Sequence, residues 1–246
     1  MSDSKRFDGS LDDDGLFSTA EAVDLYTERI EDASLFPQER KAVERYFTDP
    51  DGSVLDVGCG VGRVASQLHE RSFDVTGIDL SEPLVETAQE LFPEIDFRTA
   101  DIRATEFDSQ SFDYIVFSFF GLDYLLPKAS RVEALREMHR LLKPSGILVF
   151  STHNSLHPLV PLSLRNFGLG LKDVVDLYLK KKNRGRLFSR YKIESVTLGD
   201  VEMYLSNPIH QNRQLRRCGF TPLDVIGETD GLARYFERDP HFVAKK

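Results

Sequence analysis

Residues 54–62, Val-Leu-Asp-Val-Gly-Cys-Gly-Val-Gly, set two apolar residues and an acid before glycines at 58, 60 and 62. A buried strand that breaks into a tight loop and then opens a helix has this composition. Glycines let a ligand lie against bare backbone, and a helix start offers unpaired N–H donors. Asp79 ends a second apolar run twenty-one residues beyond Gly58, where the second strand of a doubly wound sheet presents a carboxylate to a ribose. The two features point to a nucleoside-containing cofactor across a sheet edge. Spacing narrows its identity. The dinucleotide fingerprint Gly-x-Gly-x-x-Gly needs its third glycine for close helix–strand packing, and here Arg63 stands in that slot. Asp56 would repel a pyrophosphate and suits a ligand end that carries an amine.

The elements that must hold these residues follow from periodicity. Residues 19–47 carry helical spacing, broken at Pro37. Strands are then expected at 53–57, 73–79, 95–100, 114–119 and 147–151. Helices are expected at about 62–70, 82–91 (with Ser81 as N-cap) and 130–142, the last stopped by Lys143-Pro144-Ser145-Gly146. Such alternation demands right-handed crossovers and a parallel, doubly wound α/β sheet with helices on both faces. After strand five the rhythm breaks. Residues 153–190 exceed an ordinary connection and read as a helical insertion. Residues 193–205 read as a strand or hairpin, followed by a helix over 208–218 and strands over 221–226 and 241–244. The chain thus divides into a disordered tail, 1–18, and one domain, 19–246, with 153–205 as a lid or substrate insertion.

VLDVGCGVG resembles the first motif of class I S-adenosylmethionine (SAM)-dependent methyltransferases. The likeness extends through Asp79, through Asp101-Ile102, and through the segment Leu135 to Gly146 (LREMHRLLKPSG). FSFFGLDY (117–124) and FSTHN (150–154) resemble one subgroup of that superfamily, in which Asn stands in place of Phe120. The resemblance implies a seven-stranded Rossmann-like sheet with an antiparallel last strand, and ligand at the carboxyl ends of strands one and four. It implies further that Asp56 holds the methionine amine of SAM, and that Gly58, Gly60 and Gly62 let the backbone approach the methionyl and ribose portions. Asp79 would take both ribose hydroxyls, Leu80 and Ile102 would bracket the adenine, and Asp101 would accept from its amino group. Phe117 begins an apolar wall at the end of strand four. Arg63 is expected to open the helix and pair with a surface acid.

SAM's sulfonium makes its methyl group electrophilic, so alignment is the protein's main task. A base is needed only for a neutral hydroxyl or a protonated amine. His153, at the end of strand five, is the first candidate, with Asp123 and His210 as second choices. The aromatic wall and the insertion point to a small organic acceptor, methylated on O or N. The wall lacks the Asn/Asp-Pro-Pro-aromatic signature of enzymes that methylate amino groups of bases or of protein glutamine.

Bulk properties agree. A net charge of −9 over 246 residues argues against a duplex-DNA binder. No apolar run reaches the length of a membrane span, and the polar N-terminus is unlike a signal peptide. Cys59 and Cys218 read as reduced thiols of a cytoplasmic protein. Residues 180–192, KKKNRGRLFSRYK, carry seven basic residues and no acid. They read as a solvated loop, with an RNA- or lipid-directed methyltransferase as the alternative. A non-catalytic SAM-fold binding partner is a second alternative. Oligomeric state is not encoded in these features.

Overall fold

Strand β1 (Ser53–Val57) is buried on both faces, which only a central position in a parallel sheet permits. The computed structural model describes residues 15–28, 30, 34–157, 183, 186 and 189–246. Around β1 it arranges β2 (Asp74–Asp79), β3 (Asp96–Thr99), β4 (Phe112–Phe117), β5 (Leu142–Ser151), β8 (Thr221–Ile226) and β9 (His241–Lys245). These form one seven-stranded sheet in the order β3-β2-β1-β4-β5-β9-β8. The first five strands run parallel, and β9 lies antiparallel between β5 and β8. Strand order reverses between β1 and β4, so a crevice opens at their carboxyl ends. A separate hairpin, β6 (Tyr191–Val196) with β7 (Gly199–Tyr204), occupies the stretch read as a strand or hairpin.

The pleat of the sheet sorts its side chains into two cores. Leu55 and Val57 of β1 join Phe117, Leu148 and Phe150 under helices α6 (Lys128–Leu141) and α7 (Pro208–Arg217). Val54 joins Val116 and Val149 under α2 (Pro37–Tyr46), α3 (Arg63–His69) and α4 (Glu82–Leu91). Asp56 shares the face of Val54 and so lies on the α2–α3 side. Two further helices are α1 (Ala20–Glu28), which packs against α4, and the short α5 (Gly121–Tyr124), which follows β4 and packs against β5 and β7.

Several expectations change. Strand β4 leaves the sheet at Phe117, not Phe119, because Phe119 and Phe120 adopt left-handed backbone (φ 52° and 64°). The Lys-Pro-Ser-Gly run does not separate α6 from β5. Leu142 already pairs with Phe112, and the run bulges out before Ile147 pairs with Tyr114. Ser81 occupies the N-cap of α4, yet its side chain does not cap; the hydroxyl donates to the Phe17 carbonyl at 3.2 Å. Residues 15–18, read as the end of a tail, are packed: Phe17 lies against Tyr124 with ring centroids 5.6 Å apart. The helical reading of the insertion falls on residues 158–182, outside the described residues.

Candidate active site

After Val57 the chain turns through Gly58, Gly60 and Gly62, all left-handed (φ 63°, 54° and 92°). At Gly60 a Cβ would meet nothing within 4 Å, so backbone conformation alone demands glycine and the space beside it stays open. Asp79 closes the other side. Its Oδ2 accepts the Gly60 N–H at 2.9 Å and its Oδ1 accepts the Ser81 N–H at 2.9 Å. Burial pushes the Asp79 pKa up, while these backbone donors pull it down. Each carboxylate oxygen keeps a second lone pair for a ligand hydroxyl. Leu80 is 38% exposed beside it. The Ala100 N–H donates to the Asp79 carbonyl at 2.9 Å, which brings the Asp101-Ile102 turn to the same edge. Ile102 is buried in the core, and the Asp101 carboxylate is bonded by Arg103 at 2.6 Å. An adenine amino group would have to share Asp101 with that guanidinium.

Asp56 is 1% exposed, and its Oδ2 has no hydrogen-bond partner. Burial lifts its pKa to about 8 even though the charge of Arg63 lowers it. An orphaned buried carboxyl oxygen, an open glycine cradle and spare acceptors on Asp79 fit a ligand with an ammonium at one end and ribose hydroxyls further along. Phe117 packs its ring over Gly58 and Gly121, closing the floor.

Arg63 opens α3 as expected, but its partner is not a surface acid. It grips Glu39 of α2 with both nitrogens, at 2.7 and 2.8 Å, and Glu39 is 2% exposed. Glu39 also accepts from the Ser118 hydroxyl and from the Phe36 N–H. Burial opposes ionisation of Glu39, yet Arg63 and Ser118 hold its pKa below the usual carboxylate value. One buried carboxylate therefore ties α2, the glycine-loop helix and the end of β4 together.

At the acceptor side, the Phe120 N–H donates to the Ser151 hydroxyl at 3.0 Å, which fixes the left-handed pair of phenylalanines. Phe119 is 44% exposed and stacks on the half-exposed Phe36 at 6.2 Å. Phe120 lies 4.0 Å from the His153 ring. His153 and Asp123 come together: Asp123 Oδ2 takes the His153 backbone N–H at 2.6 Å and faces Nδ1 at 3.0 Å. The other Asp123 oxygen pairs with Arg131 at 3.0 Å, and both of those side chains are wholly buried. His153 Nε2 lies 3.6 Å from Glu194 of the hairpin. Burial lowers the His153 pKa, but the bond to Asp123 and the charges of Asp123 and Glu194 outweigh it, so the net shift is upward.

His210 is not part of this contact. Its backbone N–H is capped by Asn207, and its Nε2 lies 3.0 Å from the Tyr204 hydroxyl. It touches the network through Tyr204, whose ring lies 4.9 Å from the Arg131 guanidinium. Burial, followed by the cations Arg190, Lys128, Arg131 and Arg217, lowers its pKa to about 4. Sequence reasoning missed Glu39, Arg131 and Glu194. Each is an ordinary charged residue within a helix or strand pattern, and only the fold gives it a buried partner.

A parallel sheet of this order, with a glycine loop after β1 and an acid after β2, defines a Rossmann-like nucleoside-cofactor protein. Residues 54–146 match the family described as "Methyltransferase domain". The demethylmenaquinone methyltransferase of Staphylococcus aureus is 30% identical over 199 residues, which cover 75% of this chain and 76% of that protein. YqeM of Bacillus subtilis, also named as a methyltransferase, is 42% identical over 108 residues, covering 42% of this chain and only 43% of its own length. Among solved structures, a SAM-dependent methyltransferase of Methanosarcina mazei shares the fold with a TM-score of 0.65 at 18% identity. That match covers 87% of this chain and 98% of the other. The chain belongs to the class I SAM-dependent methyltransferases. It is a methyltransferase, and SAM is its cofactor.

Proposed function

We propose that the enzyme methylates an O or N atom of a small organic acceptor whose apolar part lies against Phe36, Phe119 and Phe120. The observation that carries this reading is the half-exposed aromatic stack of Phe36 and Phe119 at the mouth of the crevice. Exposed rings beside a buried polar centre are the make-up of a small-molecule pocket. The relatives named demethylmenaquinone methyltransferase are named for a small-molecule acceptor, which supports the same class.

Bound SAM supplies an electrophilic methyl group on a sulfonium; everything else falls to the chain. Asp56 holds the amine, Asp79 the ribose hydroxyls, and Leu80 and Ile102 the adenine faces, with Asp101 at its amino group. Glycines 58, 60 and 62 admit the backbone-lined part of the ligand, and Phe117 sets the depth of the floor. Asp123 fixes the His153 ring through Nδ1, leaving Nε2 as the one nitrogen able to take a proton from an acceptor hydroxyl or amine. Asp123 itself is spent on three donors and serves as a positioning residue. The hairpin β6–β7 delivers Glu194 to His153.

The basic run lends RNA little support. Arg186 pairs with Glu202, and Lys192 is 1% exposed with its ammonium on the Arg186 carbonyl. Lys180, Lys181, Lys182 and Arg184 lie outside the described residues.

Purified enzyme incubated with SAM and a panel of small hydroxy- and amino-aromatic compounds should release S-adenosylhomocysteine with some of them, and mass spectrometry should place the methyl on O or N. Transfer to RNA alone, or to a ring carbon, would refute the reading.

A further inference from the structure

Helices α6 and α7 both bury one side in the same core, and Arg131 of α6 bonds Gln211 of α7 at 3.1 Å. Outside that bond a groove of about 290 Å³ opens between them. Lys128 and Arg136 line it from α6, and Arg213 and Arg217 line it from α7. All four are exposed, and among the described residues none has an acidic partner. In a chain of net charge −9, four unpaired cations facing one another are a local inversion of sign. Gln214 supplies the second observation. It lines the groove and is 4% exposed, yet neither its amide nitrogen nor its amide oxygen has a hydrogen-bond partner. Buried side-chain amides are almost always satisfied, so an orphan amide beneath a ring of cations asks for a ligand.

We propose that this groove binds a small phosphate-bearing molecule, with the Arg213 and Arg217 guanidinium groups on its phosphoryl oxygens and the Gln214 amide N–H donating to one of them. A guanidinium fork matches two phosphoryl oxygens at once, and a charge-assisted bond of that kind is stronger than a neutral one. Lys128 and Arg136 complete the charge from the opposite wall. The Val132 side chain gives the organic part of the ligand a short apolar contact. The cations surround one pocket of small-ligand size instead of forming a stripe, and no Phe, Tyr or Trp lines it, which disfavours a nucleic-acid strand. At His210, on the groove's rim, burial first and then cations that include Lys128 and Arg217 disfavour a further proton. The site is separate from the crevice at β1 and β4 and does not depend on which acceptor is methylated.

Calorimetric titration of the whole chain with inorganic pyrophosphate, and separately with glycerol 3-phosphate, tests this. One saturable site per chain is expected. The double variant Arg213→Gln/Arg217→Gln should weaken it at least tenfold, and Gln214→Leu, which keeps the bulk but removes the donor, severalfold. Both variants should bind S-adenosylhomocysteine as the parent does, which shows that they are folded. Absence of saturable binding in the parent, or binding that both variants retain, overturns the proposal. Retention on RNA or on anionic vesicles that pyrophosphate does not compete away, and that the double variant loses, would replace the small ligand by a polymer or a membrane and overturn it equally.

Discussion

Asp56, buried, and Asp79, part-buried, are carboxyl groups twenty-three residues apart, yet their surroundings prepare them for opposite partners. Asp79 accepts two backbone N–H bonds and faces hydroxyls, while Asp56 has an orphaned oxygen that awaits a cation. Replacing Asp79 by Ala should cost about 1.5–3 kcal/mol of S-adenosylhomocysteine affinity, the usual worth of hydrogen bonds to a charged group. Calorimetry reads this directly, and an unchanged affinity would move the ribose elsewhere. His153 carries the second residue-scale prediction. Burial works against the charged ring, but the bond to Asp123 and its charge outweigh it and raise the pKa, so the ring holds its proton to higher pH than a free histidine and must lose it before Nε2 can accept another. For a hydroxyl acceptor, kcat should therefore rise with pH through a value above 6.5, the ordinary histidine value. Asp123→Asn removes the charge that raises it and should move that limb to lower pH. A profile that does not shift would leave His153 without a proton-transfer role. Asp56 and Asp79 were legible in the sequence because a strand–loop–helix unit fixes their spacing. Glu39 and Arg131 were not: Glu39 meets Ser118 across 79 positions and Arg131 meets Gln211 across 80. No local pattern records such a pairing.

The elements themselves were legible wherever one periodicity ruled. Helix α4 falls on 82–91 as the apolar spacing required, and β8 on 221–226. The ends of β4 and the start of β5 were not, because backbone conformation, not hydropathy, decides them. Phe119 continues an apolar run but adopts left-handed backbone, a costly state for a bulky residue, held here by the bond from Phe120 to Ser151. The same blindness hid the link between α2 and α3. Proline 37 marks where α2 begins, but nothing in the helix pattern marks Glu39 as the group that will sit beneath Arg63. Because the Arg63 side chain keeps 21% of its exposure, loss of Glu39 should cost less than that of a fully buried pair. Glu39→Ala is expected to lower the unfolding free energy by about 3 kcal/mol, the low end for breaking a buried ion pair. Urea denaturation measures it. The same variant frees Arg63 beside Asp56, so cofactor affinity should change as well; a purely additive loss of stability with unaltered binding would confine Glu39 to scaffolding.

At the scale of the molecule, buried groups with displaced pKa values tie stability to pH and to the cofactor. Asp56 has a folded pKa of about 8 against an ordinary 3.8. Between those values the native state holds a proton that the unfolded chain has released, so this group makes stability fall as pH rises. His241, fully buried beside Glu39, is lowered by burial to about 4 from 6.5. There the unfolded chain takes the proton first, so stability rises with pH between about 4 and 6.5. His153 is raised above 6.5, so its contribution is complete below that value and disappears as pH climbs through its folded pKa. Below pH 6.5 His241, joined by His210, which burial also lowers to about 4, opposes the aspartate. That opposition fades above 6.5 as the unfolded-state histidines lose their protons, leaving Asp56 and His153 to weaken the fold with rising pH. The cofactor-free enzyme is therefore expected to lose unfolding free energy as pH approaches 8, from about pH 7 upward. Asp56→Asn should remove most of that slope and leave the part due to His153. Saturating S-adenosylhomocysteine should flatten it too, because an ammonium against the orphaned oxygen draws the Asp56 proton off; binding near neutral pH would then release a proton from Asp56. Urea denaturation at several pH values, with and without ligand, reads both effects. A parent profile already flat over this window would mean that Asp56 is ionised without its ligand and that some group of the chain, not the methionine amine, is its counter-charge.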